Sequence, residues 1–228
     1  MAEIPVIVIS STLEGTGKTT LTLNLAAAFW ADGYEVGLIA SKPEVIKHFI
    51  SKRQALNAEK QINLPMPKLL EDTAQMVIST DKKQVIIADI DAADIARYAG
   101  LFQTAHTLIT VTAKREDIAW PLNHPYANLI WQAKKSAAAR GIKYFNWIVV
   151  RNQLTSASDD FSDVIAEQAK RFGFRIAEPL RYREAFCHIN EGYCAADMVL
   201  YPKIFAMTMA DVYARREILT LTDFLWQS

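Results

Sequence analysis

Cysteine is scarce in this sequence, and its scarcity excludes one class of fold. Only two of the 228 residues, Cys187 and Cys194, are cysteines, too few for the disulfide framework of small secreted proteins. A chain of this length does not need such bonds, because one α/β domain of this size buries a full hydrophobic core. We therefore expect a single domain over residues 1–228 with both thiols free.

Long apolar runs and an excess of charge are missing as well. No run approaches the roughly 18–20 residues that span a bilayer, and the first residues lack the features of a signal peptide. These absences predict a cytoplasmic protein without a membrane span. The 25 basic residues balance the 25 acidic ones, so only a local basic patch could indicate nucleic-acid binding.

Between Val6 and Leu23 the sequence contains an apolar run, a loop of small residues and a predicted amphipathic helix, in that order. Backbone N–H groups of such a loop, with a helix N-terminus behind them, form a concave anion site. The loop departs from G-x-x-x-x-G-K-[ST] at Thr12. We interpret residues 10–20 as a phosphate loop, in which Lys18 neutralises phosphates and Thr19 binds Mg²⁺. A purely structural strand–turn–helix is the alternative.

Apolar runs alternate with helical patterns along the rest of the chain. Strands are predicted at 35–39, 84–88, 107–112, 144–150 and 174–176, and helices at 18–30, 43–58, 69–79, 95–102, 123–140 and 208–226. A further helix ends at Phe172, with Ser158 or Asp159 as its N-cap. The pattern predicts an α/β fold with a mostly parallel sheet covered by helices on both faces.

Three positions with polar side chains should meet at one edge of such a sheet. The phosphate loop, Asp89 and Asn152 each follow a predicted strand. Ligands of parallel sheets bind beyond the carboxyl ends of the strands. We therefore expect a ligand site where these three positions converge.

In this order and spacing, the motifs resemble the ParA/MinD superfamily of deviant Walker P-loop ATPases. Over its second half the chain is most similar to the MipZ family. The resemblance covers most of the chain and rests on residues 14–20, the strand ending in Asp89, and residues 147–152, 173–176 and 182–186, with Gly192 and Asp197.

The resemblance implies ATP and Mg²⁺ as cofactors. It assigns phosphate and Mg²⁺ binding to the loop residues Glu14, Gly15, Thr16, Gly17, Lys18, Thr19 and Thr20. It also implies that Asp89 holds Mg²⁺ through water and that Asn152 recognises adenine, for which an amide offers both a donor and an acceptor.

Three departures from the family pattern bear on catalysis. Leu13 stands where the family's signature lysine reaches the partner's phosphates across a dimer. The family's D-x-D after strand two falls on Ala40-Ser41-Lys42, and its D-T-P-G becomes Asp89-Ile90-Asp91-Ala92. Loss of a comparable arginine finger costs on the order of 10³–10⁵ in rate elsewhere. We therefore expect nucleotide binding with weak or lost hydrolysis. Lys42 is either a replacement cation or a solvated surface lysine.

The resemblance also implies partners. Family dimers form with nucleotide and bind DNA non-specifically through surface cations, for which the candidates are Lys134, Lys135, Arg140, Lys170, Arg171 and Arg175. The alternative role of these cations is to complement helix C-termini. A ParB-like protein or a division protein such as FtsZ is the expected protein partner.

Three functions remain open at this point. The first is a ParA/MipZ-like ATP switch that positions DNA or a division site. The second is a degenerate, non-hydrolysing scaffold, and the third is an ATP-dependent carboxylate-activating enzyme like dethiobiotin synthetase. Zinc binding is disfavoured, because Cys187, His188 and Cys194 do not fit a zinc pattern well.

Overall fold

The computed structural model describes residues 4–76, 81, 83–142, 145–155 and 161–227. Within these residues seven strands form one sheet, and every pair in it is parallel. The strands are β1 Val6–Ser10, β2 Glu35–Ala40, β3 Lys68–Leu69, β4 Gln84–Ile90, β5 Thr107–Thr112, β6 Asn146–Arg151 and β7 Arg175–Ile176. Their order is β3-β2-β4-β1-β5-β6-β7, so the predicted α/β fold is confirmed.

Six α-helices are present in the same described ranges. They are α1 Lys18–Ala31, α2 Glu44–Lys60, α3 Ala99–Thr104, α4 Pro125–Ala139, α5 Ser162–Phe172 and α6 Met209–Trp226. None of the helices in the described part of the chain combines the length and apolar character that crossing a membrane requires.

Both faces of the sheet are buried, as the non-alternating strands predict. Ile7 and Ile9 of β1 point into a core that α1, α2 and α6 cover. Val6 and Val8 point into a second core, on the side of α3, α4 and α5. The carboxyl end of β1 is thereby held rigidly between β4 and β5.

Helix α1 differs from the amphipathic helix that its sequence predicts. Almost every residue from Leu21 to Trp30 is buried, because α1 packs between the sheet, α6 and the 3₁₀ helix Glu184–Glu191. A helix that is apolar on all sides is typical of such an enclosed position. The helix that follows the phosphate loop is therefore part of the core.

The helix predicted at 69–79 is wrong in its described part, and the helix predicted at 95–102 begins four residues later than predicted. Residues 69–76 form the end of β3 and a short 3₁₀ helix, Thr73–Gln75. Leu70 and Met76 lie against Gly37 of β2, where an added Cβ would come within 2.5 Å of Leu70 Cδ1. This packing outweighs helical periodicity. Residues 92–98 form a 3₁₀ helix and turns, and α3 begins only at Ala99.

The remaining predicted elements agree within a few residues. Strand β5 has the predicted bounds, and α4 and α6 begin two residues and one residue later than predicted. Thr208 caps α6 in a capping box with Asp211. The proposed caps Ser158 and Asp159, residues 77–79 of the predicted third helix, and Tyr144 lie outside the described residues.

A buried ion pair holds the segment after β7 against the helices. Arg53 of α2 and Asp197 are both fully buried, and their side chains make hydrogen bonds of 2.6 and 2.9 Å. The Arg53 guanidinium also lies over the rings of Trp30 and Phe49. Because Asp197 accepts from the Cys194 amide as well, the pair ties α2 to the segment that includes Glu184–Glu191.

We expect Asp197→Ala to lower the free energy of unfolding by about 3–5 kcal/mol, because it leaves the Arg53 guanidinium buried without its carboxylate. Urea denaturation followed by circular dichroism measures the change. The double variant Arg53→Met, Asp197→Leu should lose less, since no charge stays buried. A cost below about 1 kcal/mol for Asp197→Ala would contradict this role of the pair.

Candidate nucleotide-binding site

The phosphate loop connects β1 to α1 at the carboxyl edge of the sheet. Gly15 and Gly17 have φ of +76° and +82°, a backbone conformation that side chains disfavour. A Cβ at Gly17 would also lie 2.4 Å from the Asn152 side-chain amide. The loop therefore needs glycine at Gly17 for both its conformation and its packing. The N-terminus of α1 opens directly behind it.

Lys18 bends back over the loop from the first turn of α1. Its side chain is only 6% exposed, and its Nζ donates to Ser11 Oγ at 3.0 Å and to the Leu13 carbonyl at 3.5 Å. Asp91 Oδ2 lies 4.0 Å from the same nitrogen. The ammonium is thus held at the concave side of the loop, the position that phosphate recognition requires.

Thr19 and Asp89 meet beside Lys18. The Thr19 hydroxyl donates to Asp89 Oδ2 at 2.5 Å. Burial raises the pKa of Asp89 to about 6, against the opposing effects of the Thr19 hydroxyl and Lys18. A carboxylate and a hydroxyl are oxygen ligands of the kind that Mg²⁺ takes directly or through water. The donor set fits a magnesium ion, and the phosphate loop beside it fits the anion that the ion would accompany.

Asn152 and Gln153 follow β6 and contact the loop from the other side. The Asn152 amide donates to the Thr16 carbonyl at 2.8 Å, and the Gln153 amide to the Gly15 carbonyl at 3.1 Å. Gln153 has φ of +60°, and nothing in its sequence neighbourhood indicates its role. We expect Asn152 to recognise adenine. One of its two amide N–H groups donates to the loop, which leaves the second N–H and the carbonyl oxygen for a base.

A pocket of about 80 Å³ lies next to these two amides. Its wall combines the start of α1 with residues that follow β6 and β7. The residues that line it include Gly17, Asn152, Gln153, Phe186 and Cys187. The phosphate loop thus continues into a partly apolar pocket, an arrangement that suits a ligand with both a phosphate and a ring.

Lys42 extends from the end of β2 to the mouth of the loop. Its Nζ lies 3.0 Å from Glu14 Oε1 and 3.2 Å from Asp91 Oδ1, and these two contacts raise the pKa of Lys42. Burial acts to raise the pKa of Asp91, but the Ala93 amide and the two lysines outweigh it and lower that pKa. Lys42 and Asp91 are therefore charged at neutral pH.

Three of the six candidate DNA-binding cations are engaged within the protein. Lys134 donates to the carbonyls at the end of α5, Arg140 to those at the end of α3, and Arg175 to the Gln227 carbonyl. These contacts match the alternative role at helix C-termini. Lys135, Lys170 and Arg171 are exposed, and DNA binding stays a prediction.

Two residues that hydrogen-bond to this edge of the sheet were not predicted from the sequence. Tyr126 of α4 is buried and joins the hydroxyls of Ser10 and Thr110 at 2.6 and 2.8 Å. The Asp117 carbonyl accepts from the Thr12 hydroxyl at 2.9 Å. Both residues come from segments far along the chain, so no local pattern marks them.

The cysteine-based metal site is not formed. Cys194 is buried and Cys187 is exposed, while His188 Nε2 lies 2.8 Å from Asp211 Oδ1. Across the described ranges no group of three His, Cys, Asp or Glu side chains is arranged to hold a metal ion. Asp159 and Asp160 lie outside the described ranges.

We expect Asp89→Asn to stabilise the nucleotide-free protein at pH 7.5 by about 2–3 kcal/mol. The raised pKa means that the folded wild type loses stability as pH rises from about 4 through about 6. Well below about pH 4, wild type and Asp89→Asn both carry a neutral side chain at this position and should unfold alike. Urea denaturation at pH 7.5 and well below about pH 4 measures the difference in the free energy of unfolding between wild type and Asp89→Asn. Equal stability of the two proteins at pH 7.5 would contradict the effect of burial.

Comparison with known proteins places this chain in a family. The family model described as ATPase MipZ matches residues 5–103 and 105–226. Apo McdA from Cyanothece is 16% identical, with 95% of this chain and 100% of that chain covered and a TM-score of 0.57. A search of curated proteins found no significant match.

Two further solved structures share the fold. A chain of the Aquifex aeolicus MinC:MinD cell division complex is 16% identical, covers 94% of this chain and 95% of its own, and has a TM-score of 0.55. A Borrelia burgdorferi protein assigned to plasmid partition and bound to AMPPNP is 12% identical, with 97% and 100% covered and a TM-score of 0.56. These likenesses show the P-loop fold, and the family match shows more: this chain belongs to the MipZ ATPase family.

Proposed function

We propose that the chain is an ATP-binding switch protein of DNA partition or division-site positioning. The observation that carries the proposal is that the Lys18 ammonium and the Thr19–Asp89 pair converge at one loop. Lys18 Nζ lies 3.0 Å from Ser11 Oγ and 4.0 Å from Asp91 Oδ2, and the Thr19 hydroxyl lies 2.5 Å from Asp89 Oδ2. The family match supports the same function. In such a switch, ATP binds one state of the protein better than the other, and partners recognise that state.

Each part of the proposed site has its own task. Lys18 and the N–H groups of the phosphate loop bind phosphates, while Thr19 and Asp89 hold Mg²⁺. The ion, when bound, neutralises charge on the phosphate oxygens. Asn152 and the pocket beside Phe186 receive the base. Gln153 keeps the loop in place through the Gly15 carbonyl.

We further propose that hydrolysis is slow. Leu13, at the position of the family's cross-dimer lysine, is 45% exposed and carries no charge. Ala40 replaces an acidic residue at the end of β2. Phosphoryl transfer depends on positioning and on charge stabilisation, and these replacements remove two of the groups that supply them. A non-hydrolysing scaffold is the second candidate, favoured by the same exposed Leu13.

We expect ATP with Mg²⁺, but not ADP, to change the mass of the particle in solution. Light scattering coupled to size-exclusion chromatography measures this directly. Lys18→Ala should abolish the change, because it removes the ammonium that faces the phosphates. If wild type binds no adenine nucleotide at millimolar concentration in calorimetry, the proposed function is wrong. If Lys18→Ala assembles and binds partners like wild type, the scaffold is favoured.

We expect nucleotide to protect Cys187 from alkylation. Cys187 is exposed and lines the pocket next to the loop, whereas Cys194 is fully buried, and burial raises the pKa of the Cys194 thiol well above its usual value. A maleimide should therefore label one thiol, and ATP should slow that labelling severalfold, as mass spectrometry would show. Cys187→Ser is the control. If saturating ATP left the labelling rate of Cys187 unchanged, the base would have to bind outside this pocket.

Partners and location form the last part of the proposal. We propose a nucleotide-dependent homodimer in the cytoplasm, with a ParB-like protein or a division protein such as FtsZ as partner. Non-specific DNA binding, with Lys135, Lys170 and Arg171 as the exposed cations, would weaken steeply with salt.

A further inference from the structure

The end of β2 is fastened to the end of β4 at the mouth of the phosphate loop. The two strands pair in register, with Ala40 opposite Asp89. Beyond them the Ser41 amide donates to the Asp89 carbonyl at 3.0 Å, and the Asp91 amide donates to Ser41 Oγ at 2.8 Å. These two contacts of Ser41, one through its amide and one through its hydroxyl, fix where Lys42 leaves the strand.

Lys42 and Lys18 approach one carboxylate from two sides. Asp91 Oδ1 lies 3.2 Å from Lys42 Nζ, and Asp91 Oδ2 lies 4.0 Å from Lys18 Nζ. Lys18 belongs to the phosphate loop, and Lys42 comes from a separate strand. An anion that displaced the Asp91 carboxylate from between them would contact both ammoniums.

Of the two carboxylates that contact Lys42, Glu14 is easily exchanged, whereas Asp91 is only 16% exposed. Lys42 is 53% exposed and Glu14 is 69% exposed, and ion pairs of such exposure contribute little free energy. A phosphate offers a larger charge and more acceptor oxygens than a carboxylate. Exchange of the Glu14 carboxylate for a phosphate is therefore favourable at Lys42.

We propose that Lys42 is a second phosphate-binding lysine, acting within the same chain, that binds the terminal phosphate of ATP together with Lys18. Glu14 and Asp91 hold it at the mouth of the loop until the nucleotide arrives. The inference rests on the proposed function and adds a residue that distinguishes triphosphate from diphosphate. It assigns to Lys42 the positive charge that the family's signature lysine would supply, because Leu13 stands at the position of that lysine.

The competing explanation is that Lys42 only neutralises Glu14 and Asp91. Removal of Lys42 would then weaken ATP binding because two carboxylates near the phosphates lose their counter-ion. The two explanations differ when Glu14 is neutralised as well, since Lys42 then has less to screen. A double-mutant cycle of Lys42→Ala and Glu14→Gln separates them.

The experiment measures Kd for Mg-AMPPNP and Mg-ADP by isothermal titration calorimetry. For Lys42→Ala we expect a loss of about tenfold or more with AMPPNP and less than about threefold with ADP. Lys42→Arg should retain part of the difference. Lys52→Ala, which removes an exposed lysine from α2, is the matched control. Circular dichroism confirms that each variant folds.

Glu14→Gln should tighten AMPPNP binding, because it frees Lys42 from its carboxylate partner for the phosphate. The double variant should stay as weak as Lys42→Ala. Recovery of wild-type affinity in the double variant would overturn the inference, as would an equal effect on AMPPNP and ADP. If wild type binds neither nucleotide, the proposed function fails; if wild type binds and Lys42→Ala binds equally well, only this inference fails.

Discussion

The parallel pairing of β1 with β4 is the constraint on which the site depends. It sets Ile9 opposite Asp89, so the strand that leads into the phosphate loop ends beside the acidic residue that contacts Thr19. Pairing of β4 with β2 adds the end of β2 to the same edge. Because parallel strands all end in the same direction, three distant segments of the chain deliver their side chains to one place.

Opposite charges are closely matched around the loop. Two lysines, Lys18 and Lys42, face the carboxylates of Glu14 and Asp91, while burial raises the pKa of Asp89 to about 6. The exposed ion pair of Lys42 with Glu14 is weak. In the proposed function, an incoming phosphate would take over the lysines, and an incoming Mg²⁺ would take over the carboxylate of Asp89. Binding would then be an exchange of partners at the ends of β2 and β4.

Much of this could be predicted from the chain. The apolar strands, the glycines of the phosphate loop, α4 and α6 follow from local periodicity and caps, and β5 has its predicted bounds. The predicted helix at 69–79 is wrong where it is described, because β2 presents Gly37 as a gap that Leu70 and Met76 fill. That gap is a property of the folded sheet. Likewise, α1 is enclosed on every side because α6 packs over it.

The sequence by itself determined the chemistry of the loop. Gly15 and Gly17 permit its conformation, and Lys18 and Thr19 are within one turn of it, so their positions follow from local geometry. Tertiary structure decided which other side chains reach the loop. Lys42, Asp91 and Gln153 are brought there by strand pairing and by contacts between residues up to 138 positions apart. Such contacts leave no periodic trace in a sequence, because the direction of each side chain depends on the packing of both segments.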